Sequence, residues 1–287
     1  MAAFFAWGNV PNSFVVANGS LLDYENLPPH YEGKFKVNEW NAMQLKSFYT
    51  GPNGYHWAMT PNNDWSARCP QDMIPYLHTE NSTVGPDGLS RPGRGRVTFV
   101  AFAPGGTCWF IRYSTNQCLW GPDARSFPST WRSIVDDLER SHPRKDECIE
   151  FVAFGAHELL LVRFENGNSL MLLPQDPAVR NRISTGLVQE VEERLAAGWT
   201  LGNRTTLCEF DTERWFIEWK RGTMAEFRYN MGTGEKSKQD MERVSKVLSG
   251  VGNDAALVAS HQNAQLVAAQ GAFAQAVAIN RGFFGGW

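Results

Sequence analysis

In the stretch CWFIRYS, residues 108–114, a strand's alternation sets Trp109, Ile111 and Tyr113 on one face and Phe110 and Arg112 on the other. The same alternation returns in LLVRF at 160–164, where Leu160, Val162 and Phe164 oppose Leu161 and Arg163. It returns again in RWFIEWK at 214–220, where Trp215, Ile217 and Trp219 oppose Phe216 and Glu218. In each segment one face is wholly apolar and the other mixes apolar with charged side chains. The pattern predicts strands buried fully on one face and partly on the other, as in a sheet packed on a neighbour.

These strands recur at a fixed interval. FVAF stands at 99–102 and again at 151–154, and the WFI of 109–111 returns at 215–217, twice nearly the same spacing. On that period, of about 50 residues, five units can be laid out. They span 4–24, 45–65, 97–122, 149–174 and 205–229, each reading as strand, turn, strand, turn, strand. Asn18-Gly19, Pro52-Asn53-Gly54, Pro104-Gly105-Gly106 and Asn166-Gly167 supply turns, because Gly and Asn tolerate positive φ.

Between the units the period changes to that of a helix. Trp131, Ile134, Val135 and Leu138 fall at i, i+3, i+4 and i+7. Asp176-Pro177 reads as an N-cap and first turn, opening a segment through Leu195 that ends at Gly198 and is open to a break at Gly186. A further helix is expected in 239–250, with Met241, Val244 and Leu248 on one side. Residues 70–78 have room for only a short helical turn. The fold expected is mainly β with added helices, in one β-repeat domain over 1–250. Five degenerate units suit a closed ring, which leaves only short, protected sheet edges. An open β-sandwich with helices is the rival arrangement.

Two segments lie outside the repeat. Residues 79–96 are rich in Gly, Pro and Arg and read as a mobile surface loop. Arg91, Arg94 and Arg96 there would either clasp an anionic partner or be plainly solvated. Residues 251–287 form an Ala-rich tail in which helical steps bring Leu266, Phe273 and Val277 together. A ridge of Ser260 and Ala264, Ala268, Ala272 and Ala276 lies on its other side, so the tail is expected to pack within the chain or to pair two subunits. His261, Asn263 and several Gln argue against a membrane span there.

Composition narrows the function classes. Eleven Trp and eighteen Phe favour strands and large packed faces, and the net charge of −3 gives no footprint for nucleic acid. Five scattered Cys and the absence of a basic region before the first apolar run suit a reduced, cytoplasmic protein. The repeat length, the turn glycines and the Trp/Phe/Tyr strands over roughly 4–230 loosely resemble those of five-bladed β-propellers such as the tachylectin-like lectins. That resemblance implies a non-enzymatic ligand-binding ring, with no family binding motif to carry over.

No phosphate-cradling, nucleophile-elbow, HExxH or CxxC sequence is present, so no cofactor and no metal site is expected. Asp136-Asp137-Leu138-Glu139 reads as the solvated face of a helix. Tyr55, Trp57 and Trp65, with Asp64, form a candidate platform for a sugar or planar ligand, and His56 lies among them. Arg112, Arg163 and Glu218, on the mixed strand faces, are further candidate ligand contacts. The leading expectation is a lectin-like binding or interaction protein taking a glycan, a small molecule or a protein segment. The alternative is an enzyme acting on a small organic substrate in an aromatic-lined pocket, with His56, His157 or Glu158 as its acid–base group.

Overall fold

The computed structural model describes residues 3–19, 21–36, 45–60, 62, 65–77, 83–84, 90–91, 93–121, 128–141 and 148–249. The fold is mainly β, built from small antiparallel sheets with helices between them. The first sheet holds β1 (Phe4–Trp7), β2 (Phe14–Asn18) and β3 (Leu21–Glu25). After α1 (Pro29–Lys36) comes the second, with β4 (Ser47–Thr50), β5 (His56–Met59) and β6 (Trp65–Arg68). The short β7 (Thr83–Val84) and β8 (Ser90–Arg91) pair with each other inside the segment expected to be an irregular loop. The third sheet holds β9 (Val97–Phe102), β10 (Trp109–Tyr113) and β11 (Cys118–Gly121), and is followed by α2 (Ser129–Ser141).

The fourth sheet holds β12 (Ile149–Phe154), β13 (Leu160–Phe164) and β14 (Ser169–Leu172), and leads into α3 (Pro177–Arg180) and α4 (Thr185–Ala196). In the last sheet the first strand is split into β15 (Thr200–Leu201) and β16 (Thr206–Leu207), both paired with β17 (Arg214–Arg221). Then β18 (Met224–Met231) completes the sheet and α5 (Glu235–Ser249) follows. Each of the five segments expected as units thus contributes strands to one sheet, and the last sheet gains β15 from outside its segment. The Ala-rich tail lies outside the described residues.

The sheets meet through their first strands. Contacts run from β1 to β4, β4 to β9, β9 to β12, β12 to β16, and from β16 back to β1. The ends of these strands lie together: Thr50 Oγ1 donates to the Trp7 carbonyl, and the Ala156 N–H donates to the Cys208 carbonyl at 3.1 Å. A Cβ on Gly51 would meet the Phe102 side chain at 2.4 Å, so this glycine is needed where two strand ends converge. The five first strands therefore all finish on the same side of the molecule.

A helical segment fills each junction between consecutive sheets. Phe35 and Tyr31 of α1 pack on Tyr24 of the first sheet and Phe48 of the second. Met73 and Leu77, flanking a 3-10 turn, sit in one apolar cluster with Trp57 and Ile111. Trp131 of α2 meets Phe110 of the third sheet and Phe154 of the fourth edge-on. In α4, Arg194 forms a fork with Glu226, at 2.9 and 3.0 Å, while Glu190 accepts from the Trp219 indole. Between the last sheet and the first, α5 buries Val244, Val247 and Leu248 against Phe14, Phe227 and Met231. The helices thus act as wedges between sheets, and α4 and α5 also lie against the outermost strands β14, β3 and β18.

Two local expectations are corrected. The segment opened by Asp176 does break into two helices, and Asp176 caps the first by accepting from the Ala178 N–H at 2.8 Å. The break lies at 181–184, however, and Gly186 is inside the second helix. There the Ser184 N–H donates to Thr212 Oγ1, and that hydroxyl donates to the Arg182 carbonyl, so a tertiary contact sets the break. The middle strands also differ from expectation. β10 is buried at every position and β13 at all but its last, including the face expected to be only partly covered. Both faces of these two middle strands are therefore covered.

Candidate functional site

Burial on both faces changes the reading of the charged strand residues. Arg112, Arg163 and Glu218 occupy one register position in successive sheets, are 6%, 5% and 1% exposed, and fasten each sheet to the next. Arg112 Nη1 donates to the Ile149 carbonyl of the fourth sheet at 2.8 Å. Arg163 donates to the Leu201 carbonyl and Asn203 Oδ1 of the last sheet, and pairs with Glu150 at 2.7 Å. Glu218 holds Arg204 at 2.5 Å, and Arg204 Nη1 reaches the Ala3 carbonyl beside the first sheet at 3.3 Å. All three expected ligand contacts are sheet-to-sheet fasteners.

The aromatic platform is not open either. Trp57 is fully buried and stacks on the half-buried Trp65, centroids 4.7 Å apart. Tyr55 packs on the same apolar cluster, with its ring against Phe102 at 5.9 Å. His56 is buried between Tyr31 and Phe48, with Nδ1 3.4 Å from the Gly54 carbonyl oxygen. Asp64 lies outside the described residues. Arg94 lies 5.9 Å over the Tyr113 ring.

His157 and Glu158 sit in a turn the protein uses three times. Asn53-Gly54, Gly105-Gly106 and His157-Glu158 are each a pair of left-handed residues, 52 positions apart. Only the last pair is unfavourable for both side chains. The Glu158 carboxylate accepts from the Ser129 N–H at 2.9 Å and the Ser129 hydroxyl at 2.5 Å, and its carbonyl accepts from Thr130 Oγ1 at 2.7 Å. It therefore caps the N-terminus of α2 and docks that helix, which offsets the backbone cost. Of the sequence's three acid–base candidates, His56 lies in a packed aromatic cluster, Glu158 caps a helix and His157 stands beside it in the turn.

What the fold does assemble is a small cavity between the five first strands, about 130 Å³. Among the described residues each first strand bonds to the second strand of its own sheet alone, which leaves its other backbone edge without a ladder there. Ala6, Tyr49, Ala101, Ala153 and Thr206 line the cavity from one register position, and Trp7, Phe102 and Phe154 line it where the strands finish. Burial pushes the Tyr49 phenol up to about 12, so it stays a neutral donor. Lys46 and Arg204 line the cavity near the strand beginnings, and Glu209 lies at the finishing end.

Glu209 makes no hydrogen bond or ion pair among the described residues, and desolvation alone pushes its carboxyl up to about 7. An unfolded chain loses this proton near the ordinary 4.5. Between about 4.5 and 7 the native state thus holds the extra proton, and its stability falls as pH rises through that window. Sequence reasoning passed over this residue. The strand registers align Glu209 with Asn9, Pro52, Pro104 and Ala156, so it is the only charge at that place in the repeat. That substitution was the available signal.

Burial raises Cys69 and Cys108 to about 12, which leaves both thiols protonated at neutral pH. No cluster of three or more metal-ligating side chains occurs among the described residues. No helix among them is long and apolar enough to cross a membrane. Comparison of the chain with protein-family models, with curated proteins and with solved structures found no match.

Proposed function

We propose that the chain is a non-enzymatic binding protein on a five-bladed, propeller-like ring, and that its ligand site is the cavity between the first strands. The observation that carries this reading is the pairing of a mostly apolar cavity with a single unpartnered carboxyl at one end. The ligand is a small organic molecule with an apolar body and one polar group. A lectin-like site has less support, since the aromatic residues expected to stack on a sugar are buried or pressed together. The enzymatic alternative keeps one point in its favour, because a carboxyl titrating near 7 suits proton transfer. It would then rest on Glu209 rather than His56, His157 or Glu158.

Ligand-observed NMR with a mixed set of small alcohols, amines, carboxylates and monosaccharides tests the proposal. Ala101 lines the cavity in register with Tyr49, so a larger side chain there takes up its space. Non-sugar ligands should bind the native chain and lose their signal in Ala101→Phe. Binding that survives the filled cavity, or monosaccharides as the only hits, would contradict it.

A further inference from the structure

We propose that the cavity's ligand is an organic cation, with its ammonium group bound by Glu209 and its apolar body lying between the first strands. The inference rests on the cavity-binding reading above and adds the chemical class of the ligand. Several other part-buried carboxylates in this fold have cationic partners. Glu150 has Arg163, Glu218 has Arg204, Glu190 and Glu226 share Arg194, and Asp240 has Lys236. Glu209 has none among the described residues, and a half-buried carboxylate left unpaired is costly. The group that would complete it is a cation.

The surroundings select the same chemistry. Trp7, Phe102 and Phe154 line the finishing end of the cavity, and aromatic faces attract ammonium groups. The cations that line the cavity do not complete Glu209: Arg204 is held by Glu218, and Lys46 precedes β4 at the opposite end. An anionic ligand would be repelled by the carboxylate, and a neutral donor would hydrogen-bond to it but leave its charge unpaired.

The charged groups on the elements around its turn do not neutralise it. Asp211 and Arg214 pair with each other at 3.5 Å, and the Glu158 carboxylate is taken by Ser129. Arg182 and Glu213 on the adjoining chain, and His157 on the neighbouring turn, make no hydrogen bond to Glu209. Ammonium binding needs the ionised carboxylate, so affinity rises with pH through the range in which Glu209 titrates, and binding near neutrality releases a proton.

Calorimetric titration with hexylammonium, hexanol and hexanoate separates the cases. At about pH 8 hexylammonium should bind at least about tenfold more tightly than hexanol, and hexanoate least of all. The preference should shrink at about pH 5.5 and vanish in Glu209→Gln, while that variant still binds hexanol and so reports an intact cavity. Equal affinity for hexanol and hexylammonium, insensitive to pH and to the substitution, would overturn the cation assignment and leave the cavity reading standing. Tightest binding of hexanoate would also overturn it. If none of the three bound, both readings would fall.

Discussion

Arg163→Ala should lower the free energy of unfolding by about 2–4 kcal/mol, chiefly from the two acceptors left without their charged donor, since Glu150 is 37% exposed and keeps its water. The guanidinium is 5% exposed and bridges two sheets: it pairs with Glu150 in its own sheet and donates to the Leu201 carbonyl and Asn203 in the next. Truncation leaves the carbonyl and the amide without their donor in a packed junction. Arg163→Met restores volume without the donors and should recover only part of the loss. Urea titration of the two variants measures both effects. A change below about 1 kcal/mol in Arg163→Ala would assign the residue to the class of surface pairs, against its place in this structure.

A comparable loss is expected at the junction where the last sheet meets the first. Glu218→Ala removes the carboxylate that accepts from the Arg204 backbone N–H at 3.0 Å and from its guanidinium at 2.5 Å. Arg204 then loses its anchor beneath the Ala3 carbonyl, with a cost of about 3–4 kcal/mol. The same carboxylate occupies the space beside Gly202, where an added Cβ would lie 2.2 Å from Glu218 Oε2. Gly202→Ala should therefore destabilise the native chain yet add little to Glu218→Ala. A double-mutant cycle by urea titration reads this coupling, and strict additivity would contradict the geometry.

These fasteners mark where the sequence stopped being legible. Alternation in WFIRY, LLVRF and WFIEW located the middle strands and put Arg112, Arg163 and Glu218 on one face, as found. It did not reveal that the face was covered, because covering is supplied by other sheets and by helices tens of residues away. An isolated sheet would have shown those charges to solvent. The same limit explains Trp57 and His56, whose local sequence is rich in candidate ligand contacts but whose surroundings include Tyr31, Met73 and Leu77 from other elements.

Glu158 was singled out for its chemistry and proves to act through geometry, as the cap of α2. Glu209 drew no attention because a lone Glu in a turn is ordinary. Its character comes from walls belonging to other units, and only alignment of the repeat at Asn9, Pro52, Pro104 and Ala156 would have exposed it.

That dependence makes Glu209 a reporter of the whole arrangement. It is carried by the turn after β16, while the cavity it lines is walled by first strands from the other four sheets. If the sheets close on one another as described, the carboxyl is dehydrated; if the assembly stands open, water reaches it and nothing else nearby shifts its titration. Carbon-13 NMR of the Glu209 carboxyl, followed from pH 3 to 9 and assigned by its loss in Glu209→Gln, reads this directly. The account predicts a midpoint near 7. A midpoint near the ordinary 4.5 would contradict it.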